Sequence, residues 1–98
     1  MTTKVKVASQ VEDFFKSLAP EPRRRLRMAI NALASDRGDI KRLEGELEGY
    51  SRLRVTGNRV IVTERAEHGQ RIIDCIFAEK RSVVYELFTR LLSEGLGD

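Results

Sequence analysis

The sequence contains no tryptophan, one histidine, one cysteine and two prolines in 98 residues, and aromatic side chains make up only 6% of it. A single cysteine, Cys75, cannot close an internal disulfide, so the chain does not read as a stapled secreted scaffold and a cytoplasmic setting is expected. His68 lies in a polar turn with no second histidine and no nearby cysteine, which argues against a metal site. No apolar run approaches the roughly 18 residues of a membrane span, and the first residues lack the apolar core of a signal peptide. The chain is therefore expected neither to cross a membrane nor to be exported. Glycine-rich phosphate loops, Ser-His-Asp sets and paired-carboxylate motifs are also missing, which removes the common nucleotide-binding and hydrolase signatures.

What remains is the composition of one folded domain spanning 1–98, with 41% apolar and 34% charged residues. A domain of this length buries roughly two-thirds of its unfolded surface and has no room for a large cofactor-binding fold. The formal charge of +3 says little about partners, but the kind of cation does: there are 13 arginines against 5 lysines. Arginine's planar, permanently charged fork suits phosphate, so the placement of the arginines matters more than their sum.

Period-2 alternation predicts a short strand over 4–8, with Val5 and Val7 inward. Ser9 and Glu12 have capping-box spacing at the start of a helix over about 10–18, which carries Val11, Phe14, Phe15 and Leu18. Pro20 and Pro22 break that helix and open a second one, striped by Leu26, Ala29, Ile30 and Leu33 and ending near Gly38. Residues 39–49 read as a loop with one helical turn. Strands are then predicted over 50–65 and 71–78, followed by a helix over about 83–93 with Ser82 as its N-cap. Its apolar stripe (Val83, Val84, Leu87, Phe88, Leu91, Leu92) exceeds the usual 100° and suggests a partner surface. The tail from Glu94 to Asp98 is expected to fray.

Within 50–65, Gly57-Asn58 suits a two-residue hairpin loop, pairing Thr56 with Arg59, Val55 with Val60 and Leu53 with Val62. One face then carries Leu53, Val55, Val60 and Val62. The other carries Arg52, Arg54 and Arg59. Such a face is either a solvated outer sheet surface or a phosphate site, because crowded like charges repel unless an anion lies among them. Asp74 on the neighbouring strand is an alternative counter-ion. Arg81 and Tyr85, four residues apart, would share a helix face; the plainer reading is a surface arginine and a half-buried tyrosine. The run Pro22-Arg23-Arg24-Arg25-Leu26-Arg27 reads as a solvated helix face, and Cys75 as a small core side chain.

Taken in order, the helical hairpin "FFKSLAPEPRRRLRMAINALA", the stretch "GDIKRLEGELEGYSRLRVTGNRVIV", the strand "RIIDCIFAEKR" and the ending "RSVVYE" resemble the RelE/ParE superfamily of toxin–antitoxin toxins over nearly the whole chain. The resemblance implies an α+β fold: a small antiparallel sheet of about four strands packed on an N-terminal helical hairpin, with a C-terminal helix. RelE-like members cut messenger RNA in the ribosomal A site without a metal or other cofactor, using the RNA's own 2′-hydroxyl. Carried over by position, Arg52 and Arg54 fall on the strand that supplies phosphate-contacting residues, Arg59 matches the arginine after the hairpin turn, and Arg81 and Tyr85 match the terminal catalytic pair. Tyr50 is a candidate for stacking on a displaced base.

The implied partners are a cognate antitoxin, the ribosome and mRNA, with operator DNA reached only through the antitoxin complex. Arginines stand where some members carry lysines, and no histidine follows the last strand. The alternatives are a ParE-like inhibitor of DNA gyrase without nuclease activity, or an inactive antitoxin-binding member. The "R-S-V-V-Y" ending favours the RelE-like branch.

Overall fold

The computed structural model describes residues 2–96. Its elements are β1 (Thr3–Val7), α1 (Ser9–Ser17), α2 (Pro20–Ala32), a 3-10 turn (Leu33–Ser35), β2 (Ile40–Arg42), a second 3-10 turn (Gly45–Leu47), β3 (Ser51–Val55), β4 (Asn58–Glu67), β5 (Gln70–Lys80) and α3 (Val84–Leu91). A π-helical turn, Leu92–Leu96, extends α3 through part of the tail expected to fray; Gly97 and Asp98 lie outside the described residues.

The strands form one sheet in the order β1-β5-β4-β3-β2. This corrects the expectation of about four antiparallel strands. There are five, and β1 runs parallel to β5, with Val5 opposite Ile73 and Val7 opposite Cys75. A parallel pair requires a long crossover, and here residues 8–69, including the helical hairpin, supply it. The extra strand, β2, comes from the segment read as a loop: Ile40 faces Leu53 across the pair and brings an apolar side chain to the sheet's end.

The hairpin forms as expected, but its ends differ in detail. Ala8, not Ser9, caps α1 and makes no side-chain cap, since Ser9 already lies in the first turn. The Ala8 amide is held instead by the Cys75 carbonyl at 2.9 Å. One turn later the Gln10 amide group donates to the Ala78 carbonyl and accepts from the Ala78 amide, both at 2.7 Å, standing in for a sixth residue of β1. Helix α2 opens with prolines in its first turn, and the helical stretch stops at Asp36, whose φ of 57° is left-handed, before Gly38 is reached. Gly38 has a different constraint: a Cβ there would come within 3.0 Å of a Leu53 methyl and 3.2 Å of a Leu33 methyl.

Two apolar clusters sit on opposite faces of the sheet. Against α1 and α2 lie Leu53, Val55, Val60, Val62, Ile73, Cys75 and Ala78, with Val11, Phe14, Leu26 and Leu33 from the helical side. Against α3 lie Ile61 and Phe77, with Leu47, Val84 and Phe88. Phe77 was expected on the first face with Ile73 and Cys75. A bulge explains its move: Ile61 pairs with Phe77 but Val62 pairs with Cys75, so Ile76 is an extra residue that reverses the alternation beyond it. The wide stripe of α3 is consequently satisfied within the chain. Val84 and Phe88 are buried, Tyr85, Leu87 and Leu92 pack against the second cluster, and Leu91 remains exposed. Val83 rather than Ser82 caps this helix.

Two predictions follow from this packing. Phe88→Ala removes the central ring of the second cluster and should cost about 3–5 kcal/mol in chemical denaturation, whereas Met28→Ala on the exposed side of α2 should stay within about 0.5 kcal/mol. Burial, with a smaller contribution from the Asp74 charge, pushes the Cys75 thiol up to about 11, so it stays protonated near neutral pH. Iodoacetamide should leave it unmodified in the native protein and alkylate it on unfolding, as intact mass will report.

Candidate functional site

The β3–β4 hairpin turns at Thr56-Gly57 rather than at Gly57-Asn58, with Thr56 itself left-handed at φ 54°. Asn58 thereby joins the strand opposite Val55, and every pair moves by two residues from the expected register: Arg54 faces Arg59, Leu53 faces Val60 and Arg52 faces Ile61. Because the shift is even, the faces are unchanged. Arg52, Arg54 and Arg59 do share the face opposite the helical hairpin.

That face is not an open arginine surface. Helix α3 and the Gly45–Leu47 turn cover its middle through Ile61 and Phe77. Each arginine also has a protein partner. The Arg52 guanidinium donates to the Asp39 carbonyl at 2.9 Å and to its carboxylate at 3.3 Å, and it is 15% exposed. Arg54 lies 3.8 Å from the other Asp39 oxygen, with its side chain 59% exposed. Arg59 is buried and donates through one nitrogen to the carbonyls of Thr56 and Asn58, each at 2.8 Å. The two opposed arginines thus avoid repulsion in different ways: Arg59 turns back onto its own turn, and Arg54 stands beside a carboxylate. Asp74, considered as a counter-ion for this set, bonds Arg65 at 2.8 Å instead.

Arg81 is positioned by its backbone. Its amide donates to the Gly57 carbonyl at 2.9 Å, which ties the chain after β5 to the hairpin tip. The residue is exposed, and among the described residues its side chain makes no hydrogen bond or ion pair. Residues 81–83 form a turn, so Arg81 does not share a helix face with Tyr85 as the spacing suggested. Tyr85 lies in the first turn of α3, half-buried against the second cluster.

Tyr50 is placed differently. Its ring packs edge-on to Phe88, with centroids 5.0 Å apart and planes at 84°, so one face of the tyrosine serves the core. It borders a cleft of about 540 Å³ lined by Arg42, Glu44, Glu48 and Glu64. Three carboxylates against one guanidinium make that cleft unsuited to a nucleic-acid backbone.

Two residues were missed from the sequence. Asp39 neutralises part of the arginine face and could be found only by recognising that three residues, Ile40–Arg42, form a strand beside β3. Glu79 stands opposite Arg59 in the pairing of β4 with β5, so Arg54, Arg59 and Glu79 form one row across three strands. Simple alternation from Ile73 places Glu79 on the other face, and only the bulge at Ile76 brings it to this one. The arrangement offers an exposed guanidinium at Arg54, a second at Arg81 near the hairpin tip, and a phenol on the adjoining helix. No group of three or more potential metal ligands occurs among the described residues, nor does any helix there have the length and apolarity to cross a membrane.

No family model and no curated protein matches the sequence. Several solved structures match its fold. A chain of the archaeal RelE-RelB complex from Pyrococcus horikoshii superposes with a TM-score of 0.63 at 26% identity, covering 83% of this chain and 97% of that one. A chain of the RelBE2 toxin-antitoxin complex from Mycobacterium tuberculosis gives 0.64 at 19% identity, covering 83% and 100%. The YoeB/ParE toxin from Agrobacterium tumefaciens gives 0.61 at 16% identity, covering 80% and 98%.

Asp39→Asn should release the charge of Arg52 and Arg54. In binding to single-stranded RNA, the slope of log affinity against log salt should steepen by about 0.7, the value of one added phosphate contact. An unchanged slope would show that Asp39 does not restrain this face.

Proposed function

We propose that this chain, whose fold is that of the RelE and ParE toxins, is the toxin of a type II toxin–antitoxin pair and a ribosome-dependent, metal-independent endoribonuclease acting on translated mRNA. Its partner is a cognate antitoxin. The fold neighbours support that pairing, since they include toxins described in complex with RelB. The observation that carries the nuclease reading is the clustering of exposed Arg54 and Arg81 at the tip of one hairpin, with Tyr85 on the helix that covers the same face.

Attack by a 2′-hydroxyl on the adjacent phosphodiester requires removal of the hydroxyl proton, stabilisation of charge on the phosphorane and protonation of the departing 5′-oxygen. Arg54, joined by Arg52 when Asp39 gives way, holds the phosphate oxygens. Arg59 acts chiefly by fixing the hairpin turn through the carbonyls of Thr56 and Asn58. Arg81 stabilises the leaving oxygen, and Tyr85 orients the nucleophile. Tyr50, with one ring face committed to Phe88, has only its remaining surface for a base.

The engagement of Arg52 and Arg59 by groups of the chain itself favours a second reading, that of a gyrase inhibitor without nuclease chemistry, because it leaves fewer free cations for RNA. Expression in growing cells separates the two. The nuclease reading predicts cuts within translated messages by primer extension; intact messages with induction of the DNA-damage response favour gyrase. Under the nuclease reading, Arg81→Ala and Tyr85→Ala should each lower cleavage by roughly 10²-fold and restore growth while still binding the antitoxin. Full toxicity of both variants would refute the site.

A further inference from the structure

The cleavage proposed above lacks an evident base, since an arginine titrating above about pH 12 is a poor proton acceptor. The structure supplies one candidate that the resemblance does not. On β4 and β5, three carboxylates point to the α3 face: Glu67, Asp74 and Glu79. The first two are both held by Arg65. Glu79 forms no ion pair among the described residues. One of its oxygens accepts from the Lys80 amide at 3.1 Å, and the other receives no hydrogen bond from the protein. Arg59, directly opposite, does not occupy it, because that guanidinium is directed to the Thr56 and Asn58 carbonyls.

Glu79 is half-buried at the end of the row formed with Arg54 and Arg59, two residues before Arg81. The charged and titratable groups around it are Arg59 on β4, Arg54 on β3, Arg81 and neighbouring Lys80 at the strand end, and Tyr85 and Glu86 on the first turn of α3. A carboxylate among several guanidinium groups remains ionised and able to take a proton, while the same guanidinium groups hold the phosphate next to it.

We propose that Glu79 is the general base of the reaction, an inference that rests on the nuclease reading. Glu79 takes the 2′-hydroxyl proton, the 2′-oxygen bonds to phosphorus, and the bond from phosphorus to the 5′-oxygen breaks. The departing 5′-oxygen takes a proton from solvent, and Glu79 returns its own to solvent. The products are a 2′,3′-cyclic phosphate and a 5′-hydroxyl.

The test is single-turnover cleavage on ribosomes programmed with a defined message, alongside binding to the same ribosomes carrying a 2′-deoxy residue at the scissile position. Glu79→Gln should cleave roughly 10²-fold or more slowly, with unchanged affinity for the 2′-deoxy complex and unchanged thermal melting. Glu79→Asp, which keeps the charge but shortens the reach, should fall between the two. Cleavage by Glu79→Gln at the wild-type rate, or a loss that only tracks weaker binding, overturns the assignment, as does a wild-type rate in Glu79→Asp should Glu79→Gln fail to fold. A wild-type chain that leaves the message intact removes the nuclease reading and this inference together; one that cuts alongside an equally active Glu79→Gln removes the inference alone.

Discussion

One extra residue in β5 determines much of this molecule. The bulge at Ile76 lets Ile73, Cys75 and Ala78 face the helical hairpin while Phe77 and Glu79 face the other way. Without it, Phe77 would belong to the first cluster, and Ile61 would stand nearly alone on a polar face. With it, the sheet is apolar on both sides and must be covered on both. An antiparallel sheet with one wet face is stable as it stands; this one requires α3. The bulge therefore accounts for the last helix folding back across the strands that carry Arg52, Arg54 and Arg59.

The arginines, 13 in all, divide by what they touch. Arg23 donates to the carbonyls of Lys16 and Leu18 and so closes the open end of α1. It also sits over the Phe15 ring together with Arg27, at 5.8 and 5.2 Å. Arg24 and Arg25 share Glu21, whose carboxyl they hold well down, at about 2. Arg65 and Arg71 lace β4 to β5 through Glu67, Asp74 and Glu64, and Arg71 reaches Asp36 after α2. These guanidinium groups do structural work. At the hairpin tip only Arg54 and Arg81 are left exposed, so the small net charge conceals a modest local surplus rather than a large one.

Much of this architecture was legible in the sequence because it rests on local periodicity. The helical hairpin, the three later strands and the final helix all follow from spacing and from two prolines. The inward set Leu53, Val55, Val60 and Val62 survived a two-residue error in register because pairing shifts of even size preserve faces. What was not legible depends on contacts distant in sequence. The β2 strand has only three residues and exists through its pairing with β3. The Ala8 cap is supported by Cys75, far along the chain. The bulge leaves no mark in the run Cys75-Ile76-Phe77, where either isoleucine or phenylalanine can face a core. In the candidate site, Arg52, Arg54 and Arg59 were assigned the correct face, but their partners were not foreseen: Asp39 comes from an unpredicted strand, and the carbonyls that hold Arg59 belong to a turn one residue away from the expected one.

The second cluster also links the site to the packing of the helix. Tyr85 reaches the arginine face only while Val84 and Phe88, on either side of it along α3, are buried against Ile61 and Phe77. Arg81 is held from the other direction, by its amide on the Gly57 carbonyl of the hairpin. A change in how α3 docks would therefore move the phenol relative to Arg54 and Arg81 without altering the sheet. A short chain cannot enclose a substrate, and these groups lie on a surface rather than in a closed pocket. Their relative placement must come from the rigidity of two anchors: the apolar seat of α3 and the backbone bond at the hairpin tip. On this argument, the greasy stripe of the last helix, which suggested a waiting partner, is spent first on fixing the position of Tyr85.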